Sequence, residues 1–292
     1  MTTVNNHDRP TVLVITGGHA FEQEPYLDVF RDNEGIDWAH AQPPSVRTCF
    51  TPKNAGIWDA MVCYDMQGVI FHRPDPPELV DPPADYVEGF QALLERGQGM
   101  LFLHHAMSAW PRWALWARVV GGRWHYVPGE LDGTHYPSSG YTKEIRHHVS
   151  VLEPDHPVCA GLGEGFDIVD EIYLNPVLDD SFTPLLKSDY RMTADNFYSG
   201  ELATRARLYS SEGWSHPAGK GYMGWVKTAG NSPIVYIQCG HGPAAYGNKG
   251  FRTLVRNAIN WVSSPEAHEW AREHRTELDS ASSDMAPRGR PR

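Results

Sequence analysis

Two adjacent histidines, His104 and His105, close the apolar run "GMLFL" at 99–103. Histidine changes charge near neutral pH and is the commonest protein metal ligand. His241 follows a second apolar run, "PIVYIQCG". His19 follows a third, "TVLVIT", across Gly17-Gly18, and glycines there let backbone approach closely. Glu171 is a carboxylate inside the apolar stretch "DEIY". Burial there would raise its pKa toward general acid or base work, or it could join the histidines around a metal. Tyr173, two residues on, shares a strand face with Glu171 and can donate to a substrate oxygen. In "GGRWHY" (121–126), Arg123 is a candidate substrate clamp and Trp124 a stacking platform. A strand sends successive side chains to opposite faces. One of His104 and His105 is therefore expected to be ligand or catalyst and the other its support, with the assignment open. His147, His148 and His156 read as solvated, structural or turn residues.

These groups need a frame that converges them. "TVLVITGG" (11–18), "WDAMVCYDM" (58–66) and "GMLFLHH" (99–105) read as strands buried on both faces. Helices are expected over Glu24–Asp32 and over 82–97, where Gly97 can act as the stop. "GVIFHRP" (68–74) reads as a continuation of the second strand or a short strand at a cleft edge. This β-α-β-α-β order argues for a parallel sheet covered by helices, with ligands beyond the strands' carboxyl ends. A helix is expected through 110–122. The runs 143–152, 165–175 and 182–189 read as added antiparallel strands. The last segment is a strand, a loop carrying His241, and a helix over about 249–262 with an apolar face.

Composition removes several classes of function. The net charge of −11 supplies no basic stripe for nucleic acid. No apolar run reaches membrane-spanning length and the start of the chain is polar, so a soluble cytoplasmic protein is expected. Cys49, Cys63, Cys159 and Cys239 are scattered, as expected of buried thiols in a reducing compartment. G-x-S-x-G and G-x-C-x-G elbows, G-x-G-x-x-G, a P-loop and H-E-x-x-H are all missing. No nucleotide cofactor is expected.

"VLVITGGHAF", "GMLFLHHAMSAW", "ARVVGGRW", "DHPVCAGL…DEIYLN" and "YIQCGHGPAAYGNKGFRTLVRNAINW" together resemble the ThuA-like (trehalose utilisation) family over about 10–264. Gly240-His241, Tyr246, Phe251, Arg252 and Asn257-Ala258-Ile259 carry the most specific part. The resemblance implies a flavodoxin-like α/β fold related to class I glutamine amidotransferases. Those enzymes keep a cysteine after the central strand, where this chain has His104-His105; His241 falls where their partner histidine would fall. Thioester chemistry lacks its thiolate here. The implied function is a lyase, hydrolase or isomerase acting on a glycoside or keto-disaccharide. Its catalytic residues would be His104, His105, Glu171 and His241. His19, Arg123, Trp124, Tyr173 and Tyr246 would bind substrate. A divalent metal, zinc or manganese, would sit on His104, Glu171 and His241. The alternative is a non-catalytic saccharide-binding or regulatory protein. The expected partner is a small saccharide, with no nucleic acid and no membrane, and homo-oligomers stay open. Residues 265–292 are expected to form a charged helix and a disordered tail.

Overall fold

The computed structural model describes residues 9–278 except 52, 53 and 55. Strands follow in chain order as β1 (Thr11–Gly17), β2 (Asp37–Ala41), β3 (Ala60–Asp65), β4 (Val69–Ile70), β5 (Glu78–Leu79), β6 (Gly99–Leu103), β7 (Gly129–Leu131), β8 (Thr134–Tyr136), β9 (Gly140–Val151), β10 (Gly165–Leu174), β11 (Thr183–Ser188), β12 (Tyr198–Ser199), β13 (Tyr222–Ala229) and β14 (Ser232–Ile237). Helices are α1 (Gln23–Arg31), α2 (Val46–Cys49), α3 (Ala84–Arg96), α4 (Ala114–Val120), α5 (Gly200–Thr204), α6 (Pro243–Tyr246), α7 (Lys249–Val262) and α8 (Pro265–Glu273).

Ten strands form one mixed sheet in the order β10-β9-β11-β13-β14-β6-β3-β1-β2, with β12 on β9. Its parallel part, β2-β1-β3-β6-β14, is the flavodoxin-like order 2-1-3-4-5. Strands β3, β6 and β14 are buried at every residue, as their unbroken apolar runs require. Beyond β14 all pairings are antiparallel. That half is supplied by the long crossover between β6 and β14.

Each face of the sheet has its own apolar layer. One joins Val12, Val14, Val62 and Val235 to α1, α7 and α8. The other joins Leu13, Met61, Phe102 and Tyr236 to α3 and α4. Helix α3 ends at Gly97 in the left-handed conformation, φ 93°, as its sequence predicts. Helix α7 is capped by the Asn248 side chain accepting from the Phe251 amide at 3.1 Å. Such a cap contributes about 1 kcal/mol.

Two readings need correction, and one pair of alternatives is resolved. The helix expected through 110–122 is a 3₁₀ turn at His104–Ser108 followed only by α4. Trp110 at φ 46° and Pro111 break the periodicity. The run 68–74 takes the second of its two readings: it supplies the short strand β4, paired with β5 off the main sheet, and Phe71, His72 and Arg73 line a cleft. Strands β2 and β13 and the β7–β8 hairpin lie where no strand is predicted. The polar, mixed sequence of β2 suits a sheet edge, where one flank is unpaired. The tail expected after α8 lies, from 279 on, outside the described residues. Among the described residues no helix is long and apolar enough to cross a membrane.

Candidate functional site

The site forms at the carboxyl ends of β1, β6 and β14, facing the crossover strands β9 and β10. His104 is the first residue after β6 and has φ 45°. A positive φ at a strand-to-helix turn is the elbow geometry that thrusts a side chain above a sheet. Histidine tolerates this region better than a β-branched residue does. The elbow is held by the Tyr236 hydroxyl, which donates to the His104 carbonyl at 3.0 Å.

His104 is fully buried. Its Nδ1 lies 2.6 Å from the Gln238 carbonyl, which can only accept, so Nδ1 carries the proton. In the neutral ring Nε2 then holds a lone pair. That atom is 3.1 Å from Glu171 Oε2, 3.0 Å from His241 Nδ1 and 2.7 Å from the Tyr173 hydroxyl. Glu171 Oε2 is 2.9 Å from His241 Nδ1. Three ligand atoms therefore form a nearly equilateral triangle.

A proton on His241 and another on Tyr173 can satisfy two of these contacts. The Nε2–Oε2 edge would remain a contact between lone pairs. A cation over the triangle would satisfy all three lone pairs at once, and the ligand atoms of His104, Glu171 and His241 all lie within 4.8 Å of one another. Two histidines and one carboxylate are a recognised metal-binding set. An octahedral ion with bonds of about 2.1 Å spaces adjacent ligand atoms by about 3.0 Å, and a tetrahedral one by about 3.4 Å. The observed edges are short enough for one ion to reach all three atoms. The Gln238 carbonyl supplies the outer contact that orients His104.

Glu171 is brought here by a β-bulge. The β9–β10 register runs from Asp170↔Ile145 to Ile172↔Thr142, so Lys143 and Glu144 oppose Glu171 alone. Glu144 takes up the extra residue at φ 56°. Bulges of this kind re-aim side chains beside functional sites. Burial pushes the Glu171 carboxyl up, but the two imidazoles of His104 and His241 against it outweigh burial and hold the group well below the usual range. Lys143 Nζ lies 3.8 Å from Glu171 Oε1. Asp170 accepts from the amides of Gly240 and His241 at 2.6 and 2.9 Å, fixing the loop that carries His241.

His105 plays the other role. Its Nε2 is 3.0 Å from the Tyr64 carbonyl, so Nε2 donates and Nδ1 holds the free lone pair. That Nδ1 has no partner. Burial, reinforced by the neighbouring histidines, pushes its pKa well below the usual imidazole value. His19 is pushed down to about 4, first by burial and then by His241. A Cβ on Gly18 would lie 2.1 Å from the Met66 carbonyl, so only glycine permits this turn. The turn sets the His19 ring 4.9 Å from that of His105.

A chamber of about 200 Å³ opens onto these groups. His19, His105, Lys143, Glu171 and Tyr173 line it, and Trp124, Tyr126, Tyr141 and Tyr209 supply an aromatic wall. An outer cleft of about 810 Å³ shares His19, Phe71 and Arg73 with the chamber.

Of the predicted site residues, His104, Glu171, His241 and Tyr173 touch one another. His19, His105 and Trp124 line the chamber. Arg123 and Tyr246 do not line it. Arg123 donates to the Glu130 carbonyl, and buried Tyr246 bonds the Tyr64 hydroxyl and the His241 carbonyl, supporting the loop from behind. Lys143, Asp170 and Gln238 are contributors that the sequence reading passed over. Asp170 and Gln238 adjoin residues it did select. Lys143 gave no local signal, because its position depends on the bulge.

Comparisons with known proteins agree with this frame. No curated protein sequence matches the chain. A ThuA-like protein from Parabacteroides merdae ATCC 43184 superposes with a TM-score of 0.62 at 15% identity, covering 88% of this chain and 90% of that one. A ThuA-like protein from Bacteroides uniformis ATCC 8492 gives 0.56 at 16% identity, over 89% and 94%. A protein described as cytoplasmic from Salmonella typhimurium gives 0.52 at 12% identity, over 86% and 98%. At these identities the likeness establishes the fold. The family model for ThuA, trehalose utilisation, matches residues 40–262, and the chain belongs to that family.

Proposed function

We propose that the chain is a metal-assisted sugar-modifying enzyme that removes a proton beside a sugar carbonyl. The observation that carries this reading is the 2.9–3.1 Å triangle of His104, Glu171 and His241, with the His104 lone pair turned inward by the Gln238 carbonyl. The aromatic wall and the family's link to trehalose utilisation favour a saccharide.

A divalent ion bound there would polarise a sugar carbonyl or hydroxyl oxygen. The aromatic wall stacks on one ring and excludes water from it. His105 is the proposed base. Its tautomer is set by the Tyr64 carbonyl, and its lowered pKa keeps the imidazole unprotonated at neutral pH. Taking the proton next to a keto group leaves an enediolate, whose charge the Lys143 ammonium can stabilise. Tyr173 holds a proton at its hydroxyl, because burial, reinforced by Glu171, keeps its pKa well above the usual phenol value. It can therefore protonate a departing glycosidic oxygen. Elimination and isomerisation share this first step, and hydration of the eliminated product can follow.

The test is elemental analysis of chain purified without chelator or His-tag, followed by mass spectrometry of keto-disaccharide reactions. About one equivalent of divalent metal is expected, lost in His241→Ala. Turnover is expected to vanish in both His241→Ala and His105→Ala, with circular dichroism unchanged. Full turnover by metal-free protein would remove the ion from the reading. Saccharide binding without any product would make the chain a binding protein.

A further inference from the structure

The chain is acidic overall, with a net charge of −11, yet its chamber is not. Among the described residues lining the chamber, Glu171 is the one acid, and it is engaged by His104 and His241. Two cations face it. Lys143 reaches only to 3.8 Å from Glu171 Oε1, a long contact that leaves its ammonium able to serve a second oxygen. Arg73 has no carboxylate partner among the described residues. Its guanidinium carbon lies 5.4 Å from the centroid of the Phe71 ring. This cation–π contact holds the group without using its hydrogen-bond donors. Arg73 also stands where the chamber meets the outer cleft, since both are walled by His19, Phe71 and Arg73. Asp75, on the outer cleft, makes no ion pair with it.

An unspent guanidinium fork at the mouth of an aromatic chamber suits a ring bearing an anionic group. The ring stacks within, and the anion lies across Arg73 with Lys143 deeper in. We propose that the substrate class is an acidic sugar, carrying a carboxylate or phosphate that Arg73 and Lys143 select. The inference rests on the saccharide reading above and narrows it. The chamber alone falls short of the roughly 300–1,000 Å³ usual for a ligand site. A second sugar unit would extend into the outer cleft, past Arg73.

Titration calorimetry on the metal-loaded full chain tests it, with glucose, glucuronate and glucose 6-phosphate as probes. One charge-assisted pair corresponds to roughly tenfold to a hundredfold in affinity. The charged sugars are expected to bind tighter than glucose by that factor. Arg73→Gln should erase most of the preference while leaving glucose affinity unchanged, and Lys143→Gln should erase most of the preference as well. The Arg73 substitution lies on an exposed loop and controls for direct binding of the anion to the metal. Tighter binding of the phosphate than of the carboxylate would identify the preferred anion. Equal binding of glucose and the charged sugars, or a preference that survives both substitutions, overturns the inference while the saccharide reading stands. Failure of every sugar to bind sinks both.

Discussion

The two neighbouring imidazoles are separated by the carbonyl each one meets. The Gln238 carbonyl accepts from His104 Nδ1 and so keeps the proton there, and the Tyr64 carbonyl accepts from His105 Nε2 and keeps it there. Identical side chains thus present lone pairs from different ring atoms, one into the triangle and one left free. The sequence marked the pair as chemical and showed that its roles must divide. It could not assign them, because the deciding carbonyls lie on β3 and just after β14, far along the chain. Arg123 was misplaced for a similar reason, since a helix stop locates a residue but does not aim it. Asp65 shows another effect at this scale. Neither carboxylate oxygen has a partner, and burial raises its pKa to about 7. An acid with a raised folded pKa contributes stability below its unfolded pKa and loses it as pH rises toward the folded one. Asp65→Asn is therefore expected to stabilise the chain by about 2–4 kcal/mol at pH 8 and by little at pH 4. Urea midpoints at both pH values check this, and equal gains at the two would refute it.

Segments of chain read well where the signal was local. Strand β14 and helix α7 were legible together, because an unbroken apolar run and a 3.6-residue period need no partner to be seen. The bulge opposite Glu171 was not, since it exists only in the count of residues across two strands. Asp170 ties this bulge to the loop after β14 through its bonds to the Gly240 and His241 amides. A Cβ on Gly240 would press to 2.9 Å on Phe251, so the loop has one tight path between strand and helix. Asp170→Ala removes the anchor and takes the acceptor from three amides, those of Glu171, Gly240 and His241, at about 1–3 kcal/mol for each left unpaired. Metal affinity is expected to fall roughly tenfold to a hundredfold, as when other outer contacts of metal ligands are lost. Competition with a metal indicator dye reads this directly. An unchanged affinity would mean that the loop holds its place without Asp170.

Across the whole molecule, buried imidazoles govern the response to acid. His125, His147 and His156 are each pushed down to about 4, chiefly by burial. The unfolded chain takes up their protons from about pH 6.5, and the folded chain waits until about 4. Stability is thus present above 6.5 and lost as pH falls through that window, with Asp65 opposing by one proton. From these four groups alone roughly two protons are bound on unfolding near pH 5.5, or about 3 kcal/mol per pH unit, and His19, also pushed down to about 4, adds in the same direction. Urea midpoints should drop steeply below pH 6.5, more steeply still in Asp65→Asn, and a flat profile would contradict the assignment. The long crossover between β6 and β14 has a consequence in time. His104 and His241 are separated by 137 residues, with Glu171 between them. At about 5–20 residues per second, the third corner leaves the ribosome on the order of ten seconds after the first. During that interval the parallel sheet lacks its fifth strand, and His104 waits on the edge strand of a half-made protein. A metal held by all three corners would therefore bind only after His241 has emerged.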